Sequence, residues 1–133
     1  MKELDMTEKE LWKLIEDADW KLDHDYERIK DEWSKLDKDT YIQLKIFTKQ
    51  KNAELESKFN DAWLDKDGKG GFRCCVDGWN DLIAEVVSRG EEFYNNITSD
   101  KLRQMAKDND YYYYYNYDRT FNFMDSLEKL IYP

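Results

Sequence analysis

The sequence is poor in the residues that build metal and nucleophilic sites. It has one histidine, His24, and two cysteines in 133 residues. A zinc site needs three or four His or Cys ligands, and a Ser-His or Cys-His arrangement needs partners that a single His does not supply. The cysteines, Cys74 and Cys75, are neighbours. A disulfide between adjacent residues is strained and closes no loop, so they read as thiols in a reducing compartment. The only proline is Pro133, so no helix has to accommodate one. No run approaches the roughly 18 apolar residues of a membrane span. The stretch from Met1 to Thr7 is charged and has no apolar signal-peptide region. The expectation is a cytoplasmic protein.

Positive charge is also in deficit. Lys plus Arg total 21 against 30 Asp plus Glu, a formal net charge of -9. That balance disfavours phosphate backbones and anionic membranes as partners. The acidic excess is uneven. Residues 1–40 hold 8 basic and 14 acidic side chains, whereas residues 41–73 hold 7 basic and 5 acidic. Residues 74–110 return to 4 basic and 8 acidic. Aromatic residues make up 16%, too many for a disordered chain of this charge.

Apolar residues recur at steps of three and four along most of the chain. Thr7 and Glu10 form a capping box, with Met6 and Leu11 at the staple positions, ahead of Leu14, Ile15 and Ala18. A second stripe is Tyr26, Ile29, Trp33 and Leu36. Asp37 is a candidate N-cap for a third helix running through Tyr41, Leu44, Phe47, Leu55, Phe59, Ala62 and Trp63. Its polar middle, Thr48 to Asn52, admits a break or an exposed turn. Asp65 to Gly71 (DKDGKGG) is the clearest loop. Asp77 can cap a helix carrying Trp79, Leu82, Ile83, Val86 and Val87. Gly90 suits a left-handed C-terminal position or a kink. Thr98 or Ser99 caps a short helix with Leu102, Met105 and Ala106. Phe121, Met124 and Leu127 mark a last one. The pattern predicts one all-α domain over residues 1–133, a bundle of five to seven helices with little or no sheet. The expected core includes Leu11, Leu14, Ile15, Trp33, Phe47, Leu55, Phe59, Leu82, Val86, Phe93 and Phe121.

Candidate chemical sites are few. Asp65-x-Asp67-x-Lys69-Gly70 begins like a calcium loop. Lys69 and Val76, however, stand where the fifth and twelfth positions need a carboxylate and a bidentate Glu. A solvated loop is the better reading, and neither a metal nor a cofactor is expected. His24, between Asp23 and Asp25, has no matching nucleophile and reads as a solvated residue at a helix start. Pairs such as Glu91-Glu92 say little in so acidic a chain.

The stretch Cys74 to Gly90, CCVDGWNDLIAEVVSRG, resembles a bacterial family known as domain of unknown function 4240. Cys74, Asp77, Gly78, Trp79, Leu82, Val86, Val87, Ser88 and Gly90 carry the likeness. LWKLIE (Leu11 to Glu16) matches the family's opening helix, and EEFYNNI (Glu91 to Ile97) its aromatic helix. The likeness spans roughly residues 7–105. It departs at Gly70 and Gly71, which lie farther upstream of the cysteine than in other members, and in the tyrosine-rich tail. The resemblance implies a mostly helical bacterial domain and brings no chemistry with it. For Cys74, Asp77 and Gly78, a small thiol, an N-cap and a tight helix start account for the residue types.

The run Tyr111 to Tyr115, followed by Tyr117, is the most informative feature. Five consecutive rings cannot all face one core, in a helix or in a strand. Two readings stand side by side. In one, about three rings pack inward and the rest lie flat. In the other, the rings form a binding surface, for which tyrosine suits because it offers area with a polar tip. The second makes Tyr111, Tyr112, Tyr113, Tyr114, Tyr115, Tyr117, Asp108 and Asp110 the candidate partner-binding residues. With no catalytic constellation legible, the expected function is binding rather than turnover. The favoured form is an immunity-type inhibitor that neutralises a basic bacterial toxin. A regulatory or nucleic-acid-mimicking protein is the alternative, because it too would present carboxylates.

Overall fold

The computed structural model describes residues 6–18, 20, 26–63, 76–108 and 113–131, with backbone alone at 26, 76–78, 114–116 and 127–131. Among the described residues there are seven helices and no strand. They are α1 (Glu8–Ala18), α2 (Tyr26–Ser34), α3 (Lys38–Trp63), α4 (Val76–Ser88), α5 (Glu91–Asn96), α6 (Ser99–Asp108) and α7 (Tyr114–Ile131). The expected all-α class is what the chain adopts. The loop at 65–71, His24, Cys74 and Cys75 lie outside the described residues.

The start of α1 follows the capping-box rule. Glu10 N donates to Thr7 Oγ1 at 3.2 Å, while Thr7 N donates back to Glu10 Oε1 at 3.2 Å. Met6 packs against the core, and its N–H donates to Oε1 of buried Gln43 on α3. At the other end of α1, Arg28 of α2 donates to the Ala18 carbonyl at 2.9 Å, satisfying one of the open carbonyls there. Asp37 caps α3 by accepting from Thr40 N at 2.8 Å, and bonds to the Thr40 backbone and hydroxyl hold its carboxyl below the ordinary value. At α6 the cap is Thr98, whose Oγ1 accepts from Lys101 N. Asp77, expected to cap the helix carrying Trp79, lies inside α4 instead, because that helix already begins at Val76.

Helix α3 is continuous over 26 residues, so the break expected within Thr48 to Asn52 does not occur. The polar side chains there are used inside the molecule. Thr48 is buried, and its hydroxyl donates to the Lys45 carbonyl one turn back. The Lys51 side chain is only 10% exposed. Its ammonium pairs with Glu8 of α1 at 3.0 Å and with Glu54 at 3.2 Å. It also lies over the rings of Phe47, at 5.4 Å, and Tyr94, at 5.5 Å. Trp12 closes the arrangement, with ring centroids 5.2 Å from both Phe47 and Tyr94. Desolvation works against the charge on Lys51, but the two carboxylates outweigh it and raise its pKa. Tyr94 donates to Glu54 at 2.6 Å; that bond holds the Glu54 carboxyl low, while desolvation and the carboxylate push the phenol up.

Helix α4 is the hub and packs against α3, α5, α6 and α7. Every residue from Leu82 to Ser88 is buried, so the helix is covered on all sides over nearly two turns. Helix α7 rests on α2 and α4. Tyr41 of α3 ties down its far end, donating to Asp125 Oδ1 at 2.7 Å beside a Lys45–Asp125 ion pair at 2.8 Å. Desolvation would raise the Asp125 carboxyl, but the bonds from Lys45 and Tyr41 together hold it low. Of the expected core, Leu11, Ile15, Trp33, Phe47, Leu55, Phe59, Leu82 and Val86 are buried. Leu14, Phe93 and Phe121 are half-buried and pack against that core. Trp20, between α1 and α2, is fully buried against Trp33 and Tyr117 and went unforeseen because it lies outside any helical stripe.

Between α4 and α5 the chain turns at Gly90, with φ 106 and ψ 176. Of the two roles expected from sequence, a left-handed C-terminal position or a kink, the change of direction is what occurs, in a backbone region essentially confined to glycine. A Cβ there would also stand 2.8 Å from Glu16 Cγ of α1. The Glu16 carboxylate is held in place because it accepts from Glu91 N at 3.2 Å, doing for α5 what Gly90 has no side chain to do. Gly90→Ala is expected to lower stability by about 1–3 kcal/mol in urea denaturation. Adding Glu16→Ala should not recover the loss, because most of the strain is in the backbone.

Candidate functional site

A carboxylate lies inside the most buried helix. Glu85 of α4 has 0% exposure, which is tolerable only with a charge partner and satisfied oxygens. Arg89, one turn on, donates from Nε to Glu85 Oε2 at 2.6 Å, and its side chain is 14% exposed. The backbone N–H of Tyr113 donates to the same carboxylate, 3.0 Å from Oε1 and 3.2 Å from Oε2. Ser88, also buried, donates to the Glu85 carbonyl at 2.8 Å. One buried group therefore joins the end of α4 to the residue immediately before α7.

The guanidinium of Arg89 sits between two rings, 4.9 Å from the centroid of Phe93 on α5 and 5.3 Å from that of Tyr113. Guanidinium planes stack well on aromatic faces, and a charge neutralised by Glu85 adds little repulsion toward the outside. Arg89, Phe93, Glu92 and Asn96 line a shallow open groove of about 370 Å³. Asn96 Nδ2 donates to the Glu92 carbonyl at 2.8 Å, which fixes the amide with Oδ1 left as an acceptor.

The candidate partner-binding residues separate in this geometry. Tyr113 is half-buried, with its ring against the Arg89 guanidinium. Tyr117 was expected among the exposed rings, and it is 6% exposed. One turn into α7, it faces inward onto Trp20 and Phe121, with centroids at 5.4 and 4.8 Å. Burial pushes its phenol up, with a Thr48 hydrogen bond opposing and Asp118 adding to the rise. Asp108 is exposed at the end of α6, where it accepts from Gln104 at 2.8 Å. Tyr114 and Tyr115 begin α7 as helix rather than strand, and their side chains lie outside the description. Asp110, Tyr111 and Tyr112 lie outside the described residues.

Sequence reading missed Glu85 and Arg89 because an (i, i+4) acid–base pair looks like any exposed helix pair. The signal was the setting: LIAEVVS has no other charge, so a Glu there has apolar neighbours on both sides of the helix. Among the described residues no group of three or more His, Cys, Asp or Glu is placed to hold a metal, and no helix is long and apolar enough to cross a membrane.

Comparison with known proteins identifies the family. The model of the family described as "Protein of unknown function (DUF4240)" matches residues 6–129. The chain belongs to this family. The DUF4240 match continues past residue 105, where the sequence likeness was expected to end, and so takes in the tyrosine run and most of α7. No curated protein and no solved structure matches the chain.

Two predictions follow from the packing of α4. Glu85→Ala leaves Arg89 without its carboxylate and Tyr113 N without its acceptor, and should cost about 3–5 kcal/mol in urea denaturation. Glu85→Gln keeps an acceptor for Tyr113 and should cost less. The second concerns Asp118 of α7. Its carboxyl lies above the ordinary 3.8, raised by desolvation and by Asp81 of α4 against a hydrogen bond from Asn122. The folded state thus binds the proton more tightly than the unfolded one, and ionisation above the raised pKa destabilises it. Asp118→Asn should raise the melting temperature at pH 7, with the gain fading as pH falls toward and below 3.8.

Proposed function

We propose that this DUF4240 protein works by stoichiometric binding to a basic partner protein in the cytoplasm, without turnover. The favoured form is an immunity-type inhibitor of a bacterial toxin. The observation that carries the reading is the ring pair Phe93 and Tyr113, held around an internally neutralised arginine beside the acidic start of α5, on a chain of net charge -9. Aromatic anchors supply desolvated contact at the centre of an interface, and surrounding carboxylates speed the encounter and reject acidic competitors. In this reading Tyr111, Tyr112, Tyr114 and Tyr115, with Asp108 and Asp110, also contact the partner, whereas Tyr117 serves the core.

The experiment is a pull-down from the source cell, followed by calorimetric titration against the basic protein it recovers. A one-to-one complex is expected, weakening about tenfold or more between low and high salt as exposed charges are screened. Replacing Tyr111 and Tyr112 together by alanine should cost more than about 2 kcal/mol of affinity with an unchanged circular dichroism spectrum. Affinity indifferent to both salt and the tyrosine replacements would overturn the reading.

A further inference from the structure

We infer that the groove of Arg89, Glu92, Phe93 and Asn96 is the seat of an arginine side chain from the partner protein. The inference rests on the proposed binding function and deepens it by naming the recognition element. The first support is charge. Helix α5 carries two acids, Glu91 and Glu92, and no base. Arg89, the cation of the groove, has its charge matched by the buried Glu85 carboxylate 2.6 Å away. Glu91 lies beside Glu16 of α1, whose carboxylate accepts from the Glu91 backbone. With Arg89 matched by Glu85, Glu92 is the lining charge left without a counter-charge among the described residues, and a cation lowers its energy there.

The second support is the set of acceptors. Glu92 is exposed and has no side-chain partner among the described residues. Asn96 keeps Oδ1 as an acceptor because its amide nitrogen is committed to the Glu92 carbonyl. A carboxylate and an amide oxygen one helical turn apart, on the same face as Phe93, suit a planar fork of N–H donors whose aliphatic stem lies along the ring. Arginine fits better than lysine because its guanidinium can address both carboxylate oxygens at once, whereas an ammonium is a point charge with a stronger hydration shell. A groove that is shallow and open also suits a protruding side chain better than an enclosed small molecule.

The probe is the blocked tripeptide acetyl-Gly-Arg-Gly-amide, which carries one positive charge and so does not mimic a polycation. Backbone amide shifts of the full-length protein are followed by NMR during titration. The expected result is saturable shifts at Arg89 to Asn96, at least threefold weaker binding of the Gly-Lys-Gly peptide, and no binding of Gly-Glu-Gly. Glu92→Lys, an exposed replacement, should abolish the saturable shifts, and Glu92→Gln should weaken them. Shifts spread over the acidic faces of α1 and α2, or unchanged in Glu92→Lys, would overturn the proposal. So would preference for the Gly-Glu-Gly peptide, which would make Arg89 the recognising group. The outcome is separable from the function itself: a one-to-one toxin complex unaffected by Glu92→Lys would remove the groove and leave the binding function standing.

Discussion

A fully buried carboxylate is an expensive thing to place in the helix that touches four others. Glu85 is tolerated because three donors converge on its residue: Arg89 and the Tyr113 backbone on the carboxylate, and Ser88 on the carbonyl. Replacing such a pair by apolar residues often does no harm to stability, so the pair is better understood through what it positions. It fixes the Arg89 guanidinium between Phe93 and Tyr113, and it fixes the chain at the start of α7. The ring pair around Arg89 and the position of Tyr113 just before α7 both depend on that one contact.

A second polar cluster is built around Lys51 of α3. Lys51 would interrupt the apolar face of α3 if its charge were left without partners. Glu8 and Glu54 supply the charge, Phe47 and Tyr94 supply the ring faces, and Trp12 packs behind them. Three helices, α1, α3 and α5, meet there. Both clusters show how a small bundle with 38% charged residues forms a core: cations are drawn inward along their aliphatic stems and neutralised at the tip.

Much of the fold was legible because its signals are local. The Thr7–Glu10 box, the Asp37 cap and the Thr98 cap each need only residues within one turn, and each is present as expected. The three-and-four stripes located the core helices for the same reason. Reading stopped where a residue's meaning depends on a distant partner. Lys51 and Glu85 look solvated in sequence and are buried, and Tyr117, one of a run that reads equally as core or as binding surface, faces Trp20. Gly90 was legible as a special position, but its conformation is set by the junction of α4 with α5 and by Glu16 of α1.

The amino-acid sequence by itself determined the helical class, the main caps, the net charge of -9 and the family, since composition, short-range periodicity and motif are properties of the chain alone. Tertiary structure decided which charges are buried, which tyrosine serves the core, and that α3 runs unbroken through a polar stretch. It also decided that Arg89, just past the end of α4, stands beside the Tyr113 ring, because α7 packs onto α4. The physical reason is the same in each case: the free energy of a polar or aromatic side chain depends on the partners that replace its water, and those partners come from remote parts of the chain.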